Sequence, residues 1–157
     1  MVELKMKKLA ARQKYASDNT KIRIDHIGYA VNDITNSITA FNSLGFSTWK
    51  EPVFDSVQGL WIALLSNGKH KIELVSPDTS KGSSIERLLA VNGPMPYHIC
   101  FSTDNIELKS KKLSEQGFRV ISKFVPAAIF DGRGICFLYH KDIGLIELLE
   151  NKKRNGE

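Results

Sequence analysis

The chain has 157 residues, 42% hydrophobic and 25% charged, which suits one globular domain or two small modules sharing a core. Its formal net charge of +5 comes from the ends: residues 1–21 carry +4 and residues 151–157 carry +2, leaving −1 for residues 22–150. The body therefore lacks the basic surface that nucleic acid requires, and no nucleic-acid partner is expected.

The cysteines and the hydropathy of the chain predict the protein's location in the cell. Cys100 and Cys136 lie in apolar, strand-like segments without a CxxC motif, which favours reduced thiols over a disulfide framework. No apolar run approaches the roughly 20 residues of a transmembrane helix. The basic residues 1–21 also lack the apolar core of a secretory signal. We therefore expect a cytoplasmic protein without a membrane partner.

The first part of the chain predicts a basic N-terminal extension, residues 1–21, followed by a βαβββ module over residues 22–77. Residues 1–14 of the extension have the composition of a basic amphipathic helix. In the module, Asp33 is a helix N-cap signal, Gly45 is a C-cap signal, and Pro52 is typical of an edge strand. The expected elements are a strand at 22–31, a helix at 34–44, and strands at 46–53, 60–65 and 69–75.

The second part predicts a linker with a short helix, residues 78–95, then another βαβββ module over residues 96–150 and a basic tail over 151–157. Hydrophobic periodicity again gives the order of the elements. They are a helix at 84–91, a strand at 97–103, a helix at 106–116, a strand at 118–125, a loop at 126–134, and strands at 135–139 and 143–149.

The two modules repeat one pattern in nearly constant register. Each begins with a histidine inside an apolar strand, His26 and His98, and each has a Gly-Phe pair 20 residues later. Each ends on Ile-Glu-Leu, centred on Glu73 and Glu147. The equivalent His, Phe and Glu residues are 72, 72 and 74 positions apart, which indicates an internal repeat.

The repeated residues predict a metal site shared between the modules. A single histidine in a strand is usually a packed core residue, but an unpaired carboxylate in an apolar strand costs several kcal/mol unless a cation compensates it. Two facing modules can each supply one imidazole and one carboxylate. We therefore expect His26, Glu73, His98 and Glu147 to bind one divalent ion, with Zn, Ni, Co, Mn and Fe(II) all remaining possible.

Five segments resemble the vicinal oxygen chelate superfamily, which contains glyoxalases, bleomycin resistance proteins and type I extradiol dioxygenases. They are Asp25–Val31, Leu44–Phe46, Ile72–Pro77, Tyr97–Ile99 and Gly144–Leu148. The resemblance covers residues 22–150 and is strongest to the branch of methylmalonyl-CoA epimerase and glyoxalase-like proteins. It implies an α+β fold of two βαβββ modules, whose mixed sheet curls around a metal crevice. It also implies the same four ligands.

The resemblance to the epimerase is incomplete at its catalytic positions. It implies two proton-carrying carboxylates, one at Glu147 and one on the third strand after Gln58-Gly59. The second position is Ile62 here, and Glu73 stands where the epimerase usually has Gln. An epimerase-like racemase is therefore an alternative reading.

The lactoylglutathione lyase (glyoxalase I) resemblance implies Glu at both metal positions, which matches Glu73 and Glu147. There a metal-site Glu acts as base and the metal stabilises an enediolate. The residue that anchors glutathione in bacterial members is Pro77 here, so glutathione is doubtful. A Glu at position 73 also disfavours a dioxygenase.

Our first hypothesis is a metal-dependent, glyoxalase-like lyase or isomerase acting on a small carbonyl or thioester substrate, with Glu147 and Glu73 as catalytic residues. A non-catalytic small-molecule binding or resistance protein is a further alternative. The superfamily resemblance also suggests a homodimer.

Four further residues are candidates for substrate binding. Gln58 and Arg133 offer a hydrogen-bonding amide and a guanidinium for a carboxylate or phosphate, and Trp61 and Phe137 offer aromatic walls. Strict strand alternation places Tyr97, which precedes His98, on the opposite face of the sheet.

Overall fold

The computed structural model describes residues 22–78 and 82–152, so the predicted helix over residues 1–14 lies outside the described residues. The strands are β1 (Ile22–Ala30), β2 (Ser47–Asp55), β3 (Leu60–Ser66), β4 (Lys71–Pro77), β5 (Met95–Thr103), β6 (Arg119–Val120), β7 (Val125–Pro126), β8 (Gly134–His140) and β9 (Gly144–Glu150). The helices are α1 (Ile34–Asn42), α2 (Ser84–Asn92), α3 (Ile106–Ser114) and a 3₁₀ turn at Ala128–Phe130. Within the described ranges, no helix has the length and apolarity to cross a membrane.

All the strands belong to one mixed sheet, ordered β2-β3-β4-β1-β5-β9-β8-β6, with β7 paired to β8. β1 is parallel to β4, β5 is parallel to β9, and β1 and β5 join antiparallel at the centre. Read outward from the β1–β5 junction, the two halves have the same order. The sheet is curled but not closed, and the α+β fold of two βαβββ modules is confirmed.

Each of the three α-helices follows a polar residue whose side chain caps it. Asp33 Oδ1 accepts a hydrogen bond from the backbone N–H of Asn36 at 2.7 Å, and Ser83 and Asn105 cap α2 and α3 in the same way. These bonds satisfy backbone donors that have no partner inside the helix. α1 ends at Asn42, two residues earlier than predicted, and Gly45 then turns the chain with φ of 83°.

The hydrophobic core has one large cluster and two smaller ones. The large cluster includes Ile62, Val75, Cys100 and Phe130, and it lies on the sheet face that carries the four candidate ligands. The smaller clusters are buried on the opposite face, beneath α1 and α3. The candidate site is therefore built against the largest body of buried apolar side chains.

The predicted strand over 118–125 is wrong as a continuous element. Only Arg119–Val120 and Val125–Pro126 pair with β8. Between them the hydroxyl of Ser122 accepts a hydrogen bond from the Phe137 N–H at 2.9 Å, in place of a backbone carbonyl. A serine side chain that competes with the backbone in this way interrupts the ladder. By contrast, β2 continues through Pro52 because it is the edge strand that the proline predicted.

Candidate functional site

The four candidate ligands come from the four central strands of the sheet. His26 lies on β1, Glu73 on β4, His98 on β5 and Glu147 on β9, and all four are buried. One possible ligand atom from each lies within 4.8 Å of the others. The structure therefore brings together all four residues that the repeat singled out.

Two rows of residues that are paired across neighbouring strands explain why the four side chains meet. Gly28 pairs with Glu73 on one side and His98 on the other, and Cys100 likewise pairs with Glu147 and His26. Residues directly opposite each other in a sheet project from the same face. Because Gly28 and Cys100 are 72 positions apart, the rows repeat one arrangement, and each combines a glutamate of one module with a histidine of the other.

The two carboxylates are held unequally. Glu147 Oε2 lies 3.2 Å from His26 Nε2 and 3.1 Å from His98 Nε2. Glu73 Oε2 lies 3.7 and 3.6 Å from the same two nitrogens. Both imidazoles thus turn Nε2 toward the carboxylates, and Glu73 is the more loosely held of the pair.

His26 is oriented by a hydrogen-bonded carboxylate. Its Nδ1 lies 3.0 Å from Asp25 Oδ1, and Asp25 Oδ2 accepts a hydrogen bond from Lys71 Nζ at 3.2 Å. Burial alone would raise the pKa of Asp25, but the His26 hydrogen bond and the Lys71 charge lower it to about 2. With its proton on Nδ1, His26 leaves the Nε2 lone pair available to a metal.

His98 is positioned by packing instead. Its Nδ1 is buried without a hydrogen bond in the described part of the chain. The rings of Tyr97 and Phe137 contact it edge-on, at centroid distances of 4.5 and 5.4 Å. A Cβ at Gly28 would lie only 2.0 Å from His98 Cε1, so the imidazole occupies space that only glycine leaves open.

The charge balance of the cluster fits a divalent cation. His26 Nε2, His98 Nε2 and Glu147 Oε2 are buried and make no geometrically acceptable hydrogen bond among the described residues. Burial would raise the pKa of Glu147, yet the two histidines lower it. Burial would lower the pKa of His26, but Glu73 and Asp25 raise it. Two imidazole nitrogens and two carboxylate oxygens that converge with unused lone pairs form a suitable divalent-metal donor set.

A partly open cavity adjoins this cluster. Its walls are mostly apolar and come from both modules, and its polar lining side chains are Gln58, Glu73, Tyr97 and Glu147. The ring of Phe130 closes one side by stacking on His26 at a centroid distance of 5.3 Å. An apolar cavity with a few convergent polar groups is the usual form of a small-molecule site.

Of the four residues predicted to contact substrate, two line the cavity and two lie outside it. Gln58 and Phe137 line the cavity. Trp61 lies outside it, 42% exposed and 5.2 Å from the Phe54 ring, because it alternates with the inward-facing Leu60 and Ile62. Arg133 is also outside, because its guanidinium donates to backbone carbonyls of the chain itself.

The sequence did not identify two aromatic residues of the cavity, Tyr97 and Phe130. Tyr97 lines the cavity, contrary to the prediction from strand alternation. β1–β5 pairing matches Gly28 with His98 and Tyr29 with Pro96, so Tyr97 is the extra residue of a β-bulge. Phe130 lies in the irregular segment before β8, where no periodic pattern identifies inward-facing residues.

Known proteins share this architecture. The sequence profile described as Glyoxalase/Bleomycin resistance protein/Dioxygenase superfamily matches residues 25–137. The ethylmalonyl-CoA/methylmalonyl-CoA epimerase of Cereibacter sphaeroides is 30% identical over 131 residues, which cover 80% of this chain and 96% of that protein.

Solved structures give a matching result. Methylmalonyl-CoA epimerase from Mycobacterium tuberculosis superimposes with a TM-score of 0.72 and 26% identity, covering 83% of this chain and 88% of that one. A Streptomyces coelicolor methylmalonyl-CoA epimerase variant in complex with 2-nitronate-propionyl-CoA superimposes with a TM-score of 0.71 and 28% identity. The match covers 83% of this chain and 98% of that one. By its sequence profile and its paired modules, the chain belongs to the glyoxalase/bleomycin resistance protein/dioxygenase superfamily.

Proposed function

We propose that this protein is a metal-dependent isomerase of the epimerase type, which moves a proton at the carbon alpha to the carbonyl of an acyl thioester. The observation that carries the proposal is the pair of carboxylates, Glu73 and Glu147, at the wall of an apolar cavity and beside two histidines. The similarity to epimerases of CoA thioesters supports this substrate class over a glutathione adduct.

His26, Glu73, His98 and Glu147 are the residues that would hold the divalent ion. When bound, such an ion acts as a Lewis acid that makes the proton alpha to a carbonyl easier to remove. The apolar walls exclude water, which strengthens electrostatic interactions within the cavity. Glu147 is the proposed base for the alpha proton, and the two neighbouring imidazoles keep it ionised by lowering its pKa against the effect of burial.

The second proton carrier is proposed to be Glu73. Ile62, at the position where the resemblance implies an epimerase carboxylate, is buried in the cavity wall and cannot carry a proton. Glu73 lines the same cavity from the other module, is farther from both imidazoles than Glu147, and is slightly more exposed. A loosely held carboxylate on the opposite module is suited to return the proton from the other side.

Isotope exchange tests this proposal. Metal-free protein would be reconstituted with Co²⁺ and incubated with methylmalonyl-CoA in D₂O, and deuterium at the alpha carbon would be followed by mass spectrometry. We expect metal-dependent exchange, which Glu147→Gln reduces by at least about 100-fold, a typical contribution of general acid–base catalysis. Trp61→Phe, which changes a residue outside the cavity, is the control and should catalyse exchange at the wild-type rate. Wild-type exchange in Glu147→Gln would refute the role of Glu147.

A glyoxalase-type lyase is a second candidate, because Glu73 and Glu147 together match the carboxylate pair which that resemblance implies. The hemithioacetal of methylglyoxal and glutathione distinguishes the two activities. Conversion of this adduct to a lactoyl thioester, without exchange into methylmalonyl-CoA, would replace the epimerase proposal by the lyase. If the metal-loaded protein reacts with neither compound, the proposed acyl-thioester epimerase is wrong.

A further inference from the structure

We propose that Tyr97 is a substrate contact that acts in the reaction, its hydroxyl donating a hydrogen bond to the substrate oxygen that gains negative charge when the alpha proton leaves. This role rests on the proposed function, since it requires an enolate-like species in the cavity.

The β-bulge in β5 turns Tyr97 toward the cavity. A bulge places two residues of one strand opposite one residue of its partner and re-aims a side chain, and bulges occur frequently beside active sites. Here Tyr97 and His98 share the cavity face, and their rings meet edge-on at 4.5 Å. A regular strand would have turned one of these two side chains away.

The first module has a bulge at the equivalent position but uses it differently. Ile24 pairs with Phe101 and His26 with Cys100, which leaves Asp25 as the extra residue. The Asp25 carboxylate accepts a hydrogen bond from Nδ1 of the neighbouring His26, whereas Nδ1 of His98 makes no hydrogen bond among the described residues. Tyr97 therefore does not repeat the orienting role of Asp25 through its hydroxyl.

The hydroxyl of Tyr97 is available to a substrate. Within residues 22–78 and 82–152, no group forms a hydrogen bond with it. Gln58, the other neutral polar side chain of the cavity, donates one of its two Nε2 hydrogens to Asp55 Oδ2 at 2.9 Å. A phenolic hydroxyl both donates and accepts hydrogen bonds and is protonated near neutral pH, so Tyr97 can serve as a donor to the substrate.

The expected contribution is that of a donor aimed at a developing oxyanion in a water-poor site. Removing one such donor from an enzyme typically lowers kcat by about 100- to 1,000-fold. Because the charge develops only during proton removal, the loss should fall on kcat more than on KM. A merely structural ring would show neither effect when its oxygen alone is removed.

Tyr97→Phe tests the inference, with Tyr139→Phe as the matched control on the 40% exposed surface tyrosine. In Co²⁺-loaded protein we expect Tyr97→Phe to lower kcat for exchange into methylmalonyl-CoA by about 100-fold with little change in KM. Tyr139→Phe should match the wild type. Metal content and melting temperature should be unchanged in both variants. An unchanged kcat, or loss of the metal in Tyr97→Phe, would overturn the inference.

A binding measurement separates this inference from the proposed function. Oxalate, a planar dianion with vicinal oxygens, would be titrated into the Co²⁺-loaded proteins by calorimetry. We expect Tyr97→Phe to bind oxalate at least about tenfold more weakly than wild type and Tyr139→Phe, the loss of one charge-assisted hydrogen bond. If wild type fails to exchange protons, the proposed function fails, and equal oxalate affinity in Tyr97→Phe would then reject the Tyr97 contact as well.

Discussion

Asp25 contacts the candidate metal site without being one of the four candidate ligands. It accepts one hydrogen bond from His26 and another from Lys71. Among the described residues, Nδ1 of His98 has no such partner, and His98 is positioned by packing, because its imidazole fills the space that the missing Cβ of Gly28 leaves and contacts flanking aromatic rings. Hydrogen-bonded carboxylates behind ligand histidines typically contribute tenfold to 100-fold to metal affinity. The two histidines therefore depend on different kinds of support.

Replacing Asp25 should weaken metal binding more than it weakens the fold. We expect Asp25→Ala to lower Co²⁺ affinity by about 10- to 100-fold, because His26 loses the acceptor that fixes its tautomer. Asp25→Asn keeps an acceptor oxygen and should recover part of the affinity. Competition with a chromophoric chelator measures both variants, and wild-type affinity in Asp25→Ala would show that the hydrogen bond does not support the site.

The residue patterns predicted the cluster of four buried polar residues better than they predicted the residues that line the cavity. His26, Glu73, His98 and Glu147 were predictable because a repeated polar residue inside an apolar strand is costly to bury without a partner. Tyr97 was misplaced because a bulge changes strand parity and has no composition signal of its own here. Trp61 lies outside the cavity that it was predicted to line, because an aromatic residue in a strand is apolar on either face and its type does not reveal its direction.

At the scale of elements, the segment between β7 and β8 is fastened across the two modules. Lys50 of β2 donates hydrogen bonds to the Ile129 carbonyl at 2.8 Å and to Asp131 Oδ1 at 2.6 Å. The 3₁₀ turn held in this way carries Phe130, which closes the cavity against His26. Its sequence, Ala127-Ala128-Ile129-Phe130, gave no periodic signal, so it was predicted only as loop.

Removing this attachment should loosen the turn without affecting the metal. We expect Lys50→Met to increase amide hydrogen exchange in residues 128–131, because the side chain no longer bonds to the turn. Co²⁺ affinity should remain close to wild type. Lys141→Met, which removes only an exposed pair with Asp142, is the control. Unchanged exchange at the turn in Lys50→Met would show that other contacts hold it.

At the scale of the molecule, the sheet presents an apolar face away from the site. Strand pairing places Ile22, Ile24, Ile27 and Ile99 on this face, and each is between 38% and 65% exposed. The patch spans both modules at their junction. An exposed apolar patch of this kind suits the contact surface of a two-fold symmetric dimer, so the homodimer stays a prediction with a defined surface.

A charge in this patch tests the dimer. We expect the wild type to elute as a dimer in light-scattering chromatography and Ile24→Lys, at the most exposed position of the patch, to elute as a monomer. Burying an unpaired ammonium at an interface is strongly unfavourable, so the substitution should weaken the dimer. Val57→Lys, on a side chain that is 82% exposed in a turn, is the control. A monomeric wild type would contradict the prediction.

Elemental analysis during Co²⁺ titration tests whether His26, Glu73, His98 and Glu147 form one metal centre. Protein freed of metal, reloaded and desalted should retain one ion per chain, and metal at 100 times its dissociation constant should stabilise the fold by about 2.7 kcal/mol. His98→Ala and Glu147→Ala should each lose the ion, while Trp61→Phe retains it. A wild-type protein that retains no metal, or a Glu147→Ala variant that binds Co²⁺ as tightly as the wild type, would show that these four residues do not form a metal centre.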